Sequence, residues 1–102
     1  MSREYYYRKQ IVEIFGFRED FLDQLEEEDL VQSITLPPAD EPVFLPEQVE
    51  RIRIISNLIT DLEVNLAGCG VILEMREQMI RMERDFDKIL ESLLENVKQR
   101  FP

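Results

Sequence analysis

Between Arg18 and Arg51 the chain carries eleven carboxylates and no basic residue. They run from Glu19, Asp20 and Asp23 through Glu26, Glu27, Glu28 and Asp29 to Asp40, Glu41, Glu47 and Glu50. Carboxylates can serve as general acids and bases, but only beside a nucleophile, a second tuned group or an oxyanion donor. Those companions cannot be grouped here. The 102 residues include no histidine, which removes the commonest general base and the commonest metal ligand together. The single cysteine, Cys69, cannot close an internal disulfide and makes a poor metal site alone. Three glycines are too few and too scattered for a phosphate loop. The sequence is therefore read as that of a non-enzyme with no cofactor and no metal. What a continuous acidic stretch can do is recognise. It repels phosphate and attracts cationic protein surface, and the net charge of −10 has the same sign.

The elements that must position these charges are set by the apolar spacing. Apolar residues make up 44% of the chain, enough for one modest core. Glu4 to Tyr7, with three tyrosines in a row, reads as a short edge strand. Ile11, Val12, Ile14 and Phe15 recur at helical spacing before Gly16, which gives a helix over Lys9 to Phe15. Phe21, Leu22 and Leu25 give a second helix, about Glu19 to Glu28, with Glu19 and Asp20 at its positive end. Two short helices around a glycine turn form a helix-turn-helix. Val31 to Leu36 alternates like a strand, and Val43 to Leu45 returns as another. The proline-rich tip between them completes a wing-like hairpin.

Pro46 suits the first position of a third helix, whose buried face is expected to hold Val49, Ile52, Ile55, Leu58, Ile59 and Leu62. Asp61 to Val64 interrupts it, and Asn65 is a good N-cap for a fourth. This last helix is expected from Leu66 to about Gln99, roughly 50 Å at the usual rise per residue. Ile72, Met75, Met79, Met82, Phe86, Ile89 and Leu93 are spaced alternately three and four apart. That heptad seam calls for a second chain, so these seven residues are expected to form a homodimer interface. Residues 1–63 then form the winged helix-turn-helix-like domain and residues 64–102 the dimerisation helix.

The order of these elements resembles the MerR family of winged-helix regulators. The string VEIFGFREDFLDQLEEEDLV, Val12 to Val31, is similar to its helix-turn-helix. FLPEQVERIRIISNLITDLEVNLAGCGVILEM, Phe44 to Met75, is similar to its post-wing helix and the start of its dimer helix. VNLAG, Val64 to Gly68, resembles the corresponding turn of the family's heat-shock repressors. The fold this implies is mainly α, with a small β-wing and a long C-terminal dimerisation helix. Two positions depart from the DNA-reading members. Glu19-Asp20-Phe21-Leu22-Asp23-Gln24 stands where they carry arginine on the recognition helix, and Pro42-Val43-Phe44-Leu45 lacks their arginine and tyrosine at the wing exit.

Within that larger group the sequence is more similar to the CbpM-type chaperone modulators. The resemblance implies a protein that binds the J-domain of a CbpA- or DnaJ-type co-chaperone and limits its action on Hsp70. It places the partner face on the second helix, at Asp20, Asp23, Glu26 and Glu27. An apolar anchor is expected from the exposed side of Val43, Phe44 and Leu45. The alternative is a transcriptional regulator like MerR or the heat-shock repressors. Against it, the recognition helix and wing supply no cation to neutralise phosphates, leaving Arg3, Arg8, Lys9 and Arg18 ahead of them. DNA binding is not expected. Cys69 is read as a small packing residue between Gly68 and Gly70, not as a thiol or metal sensor. No apolar run approaches the ~18 residues of a membrane helix, and no secretory signal is read at the start, so a cytoplasmic protein is expected.

Overall fold

The structure is a computed structural model and describes residues 5–38 and 40–100. The element order is β1 (Tyr6–Tyr7), α1 (Arg8–Phe15), α2 (Glu19–Glu27), β2 (Val43–Phe44), α3 (Pro46–Leu62) and α4 (Leu66–Arg100). By internal contacts the chain divides into two compact units, Met1–Gly70 and Val71–Pro102.

The first unit is shaped by its helix ends. Tyr7 N–H donates to Gln10 Oε1 at 2.8 Å and fixes the entry into α1. Gly16 closes α1 with φ 68°, and its N–H reaches Val12 O at 2.9 Å. A left-handed residue at this place turns the chain into α2, and glycine takes it without strain. Pro46 opens α3, and Glu63 ends it in the left-handed region at φ 54°. Asn65 caps α4 as its side chain predicts: Gly68 N–H donates to Asn65 Oδ1 at 2.7 Å.

The core of this unit consists of Ile11 from α1, Leu22 and Leu25 from α2, Val43 and Phe44 from β2, Ile52 and Ile55 from α3, and Cys69 from α4. All are fully buried, with Leu30 and Val31 close behind. Burial is narrower than helical spacing alone suggests. Ile14 of α1 and Leu62 of α3 are 58% and 68% exposed, and Val49, Leu58 and Ile59 are half-buried.

The wing is also slighter than the alternation over Val31 to Leu36 predicts. That segment is not a strand. Its one sheet contact is the antiparallel bridge Ile34↔Val43, with N···O distances of 2.9 and 2.7 Å. Residues 43 and 44 instead pair with β1, Tyr6 opposite Phe44 and Tyr7 opposite Val43. The physical reasons are local. Gln32 N–H donates to Gln48 Oε1 at 2.8 Å, and Leu30 C=O accepts from Arg51 Nε at 2.8 Å, so side chains of α3 take backbone groups that a ladder would use. Pro37, Pro38 and Pro42 have no N–H to extend it.

Candidate protein-interaction surface

Successive residues of an α-helix are rotated by about 100°, which separates the carboxylates of α2 into faces. Leu22 and Leu25 point into the core. Glu19, Asp23 and Glu26 lie on one flank of that buried stripe. Asp20 and Glu27 lie opposite it, toward solvent, Gln24 lies on the other flank beside Phe21, and Glu28 follows as the C-cap.

The flank with Glu19, Asp23 and Glu26 is committed within the molecule. Arg8, at the start of α1, donates from Nη1 to Glu26 and from Nη2 to Asp23, and its Nε lies 3.6 Å from Glu19. Ser33 Oγ adds a donor to Glu26 Oε2 at 3.0 Å. Partial burial works against the Arg8 cation. The hydrogen bond from Arg8 to Glu26 and the charges of Glu26, Asp23 and Glu19 outweigh it, so its pKa is raised. This is a clamp between α1 and α2, with one cation set against three carboxylates.

The four residues expected at the partner face therefore separate. Asp23 and Glu26 are brought together by Arg8. Asp20 is 83% exposed and lies 3.7 Å from the equally open Arg18. Glu27 is exposed and has no polar side-chain partner among the described residues. The clamp also bears on phosphate binding. Arg8 is engaged, Arg3 lies outside the described residues, and Lys9 and Arg18 remain exposed. In α3, Arg51 holds Leu30 C=O and Arg53 pairs with Glu50 at 2.5 Å.

The expected apolar anchor at Val43, Phe44 and Leu45 is not available. Val43 and Phe44 are fully buried as core residues, and Leu45 is half-buried at the start of α3. An aromatic groove exists elsewhere. Phe15 and Phe17 stack with ring centroids 5.8 Å apart, and Phe21 meets Phe17 edge-on at 5.1 Å. With Gly16, Ser56, Ile59 and Thr60 they line an open groove of about 270 Å³. Spacing assigned Phe15 and Phe21 to buried stripes and gave Phe17 no role. The available signal was three phenylalanines around the turn glycine, more aromatic surface than two short helices can cover.

On α4 the expected seam is open. Met75, Met79, Met82, Phe86, Ile89 and Leu93 are 56–69% exposed, and Ile72 is half-buried. Leu90, Leu94 and Val97 widen the same apolar stripe toward the C-terminal end. Cys69 is fully buried. Burial pushes its thiol pKa up, which opposes the low-pKa thiolate that a sensor needs. A Cβ on Gly70 would stand 3.3 Å from Leu30 Cδ2, so the start of α4 packs closely against that residue. Among the described residues, no group of three or more metal-binding side chains could hold an ion. None of their helices is long and apolar enough to cross a membrane.

The order of the helices, the turn at Gly16 and the bridge at Ile34 can be set against known families. The profile of the MerR HTH family regulatory proteins matches residues 7–90. The chain belongs to the MerR helix-turn-helix family. No curated protein and no solved structure matches it. In this MerR-family chain α1 and α2 are the helix-turn-helix, the segment through Ile34 and Val43 is a reduced wing, and α4 is the long C-terminal helix. The second helix of a helix-turn-helix is the one that enters the major groove in DNA-reading members. Here it carries Glu19, Asp20, Asp23, Glu26 and Glu27 and no cation.

Proposed function

We propose that this MerR-family chain is a non-catalytic, protein-binding modulator that docks on the J-domain of a CbpA- or DnaJ-type co-chaperone and restrains its action on Hsp70. It would do so in the cytoplasm as a homodimer. The observation that carries the protein-binding part is the charge on α2. The helix placed to read a duplex presents five carboxylates and no cation, and Arg8 of α1 is held by three of them, while Arg18 at the helix N-cap lies beside Asp20. Binding a duplex releases counterions when cations meet phosphates, and this surface offers anions instead. The co-chaperone as partner rests on the resemblance to CbpM-type modulators.

Asp20, Asp23, Glu26 and Glu27 form the proposed partner face, in two roles. Asp20 and Glu27 meet the cationic partner directly. Asp23 and Glu26 contribute the residual negative charge of the Arg8 clamp. Exposed pairs of this kind contribute about 0–1 kcal/mol each and mainly raise the association rate and set specificity. Homodimerisation through Ile72, Met75, Met79, Met82, Phe86, Ile89 and Leu93 is supported by the exposure of the last six of these residues.

A second reading, duplex binding, is favoured by the family match itself and by the exposed Lys9 and Arg18. One experiment separates the two. Titrations at physiological salt compare a purified J-domain with promoter duplex, using the wild type and an Asp20→Lys/Glu27→Lys variant. The modulator reading expects J-domain binding that weakens in the variant. Sequence-selective duplex binding without J-domain binding would discard it.

A further inference from the structure

We infer that the groove of Phe15, Phe17, Phe21 and Ile59 receives an apolar side chain from a basic amphipathic helix of the partner. This rests on the protein-binding reading above and gives that reading its anchor. Acidic residues alone set rate and specificity, while affinity at an interface comes from apolar side chains seated in pockets. With Val43 and Phe44 consumed by the core, the groove is a place among the described residues where half-buried aromatic surface faces an open cavity.

The charges around the groove select the occupant. It is lined by the last turn of α1, Phe15 and Gly16, and by the last turns of α3, Ser56, Ile59 and Thr60. Helix C-termini carry partial negative charge, and neither last turn contains a basic residue to offset it. The N-terminus of α2, also at the groove, is countered by Glu19 and Asp20 in its first turn, and the adjacent Arg18 faces Asp20. Glu27, at the end of α2, lies on the solvent face, and Glu28 follows it as the C-cap; both are exposed. The aromatic floor thus has a negative surround, matching a helix that carries one apolar residue between lysines or arginines. Ring faces favour such cations as well.

The test uses the full chain and three ligands: the J-domain, a helical lysine–leucine peptide, and the same peptide with glutamate replacing lysine. Thr60→Trp plugs the groove from its exposed rim. Phe17→Ser removes floor, with circular dichroism confirming the fold, and Asp20→Lys/Glu28→Lys reverses the surround. The lysine peptide is expected to bind the wild type, and each variant to weaken it by about tenfold or more. The glutamate peptide is expected not to bind. If the J-domain binds but neither it nor the lysine peptide responds to Thr60→Trp and Phe17→Ser, the groove assignment is overturned and the co-chaperone reading stands. If the lysine peptide responds as expected while the J-domain does not bind, the partner assignment fails and the groove stands. Equal binding of both peptides overturns the basic occupant, and binding of neither peptide nor J-domain overturns the groove and the co-chaperone reading together.

Discussion

Arg8 is the residue whose role changes most between sequence and structure. As a residue type near a helix-turn-helix it reads as a phosphate contact, yet it is spent on Glu19, Asp23 and Glu26. Replacing it with methionine keeps much of its length and leaves three carboxylates on one flank of α2 repelling each other. Arg8→Met is expected to lower stability by about 1 kcal/mol in urea unfolding, less at high salt, where attraction and repulsion are both screened. A loss that ignores salt would show that the clamp acts by packing alone. Cys69 gives a pH prediction with a definite sign. Its thiol pKa is raised by burial from the ordinary 9.0, so the unfolded chain ionises first. The stability associated with the neutral thiol is fully present below about 9.0 and is lost as pH rises from there through the higher folded value. Cys69→Ala should lack that component of the alkaline decline. The wild-type thiol should also resist a disulfide reagent at neutral pH until urea unfolds the chain. The sequence showed that Cys69 was a small residue between glycines. It could not show that Arg8 would fold back onto α2, because that contact spans fifteen to eighteen residues.

The elements were legible where local chemistry decides them. Gly16, Pro46 and Asn65 each sit where turn geometry, a missing N–H or a side-chain acceptor requires them, and α1, α3 and α4 begin or end there. The wing was not legible, because alternation over Val31 to Leu36 does not reveal that Gln48 and Arg51, far along the chain, take the backbone groups of Gln32 and Leu30. Helix ends also supply paired predictions of opposite sign. Gly16 has φ 68°, and nothing lies within 4 Å of the space a Cβ would occupy. Gly16→Ala should therefore cost about 1 kcal/mol from backbone conformation alone. Glu63 holds the same left-handed conformation with a side chain, at φ 54°. Glu63→Gly should gain a few tenths to about 1 kcal/mol in the same unfolding assay. If both substitutions shift stability in one direction, backbone strain is not what governs these two caps. Asn65→Ala removes the acceptor for Gly68 N–H and is expected to cost about 1 kcal/mol.

At the scale of the whole molecule, the question is what covers α4. In proteins a helix such as Leu66–Arg100 takes most of its stability from packing its apolar face. Within one chain that face stays open from Met75 to Val97. The heptad spacing made the seam visible in the sequence, since three-and-four periodicity is a local property. The identity of the chain that covers it is not local, and the same spacing would serve any amphipathic partner helix. In the proposed homodimer a second copy would satisfy the seam, because each chain would bring an identical apolar stripe. Sedimentation of the wild type is then expected to give the mass of a dimer. Met82→Lys/Ile89→Lys places charges in the middle of both stripes, where an unpaired buried cation is costly. That variant should sediment as a monomer and lose helical ellipticity, since residues 71–100 would have nothing to pack on. The first unit provides the internal control. Its core of Ile11, Leu22, Phe44 and Ile52 lies outside the seam, so the per-site affinity of α2 for a single proposed J-domain should be unchanged in that variant. A double variant that keeps the dimer mass would move the interface off these residues, and a wild type that sediments as a monomer would leave the stripe to a different partner.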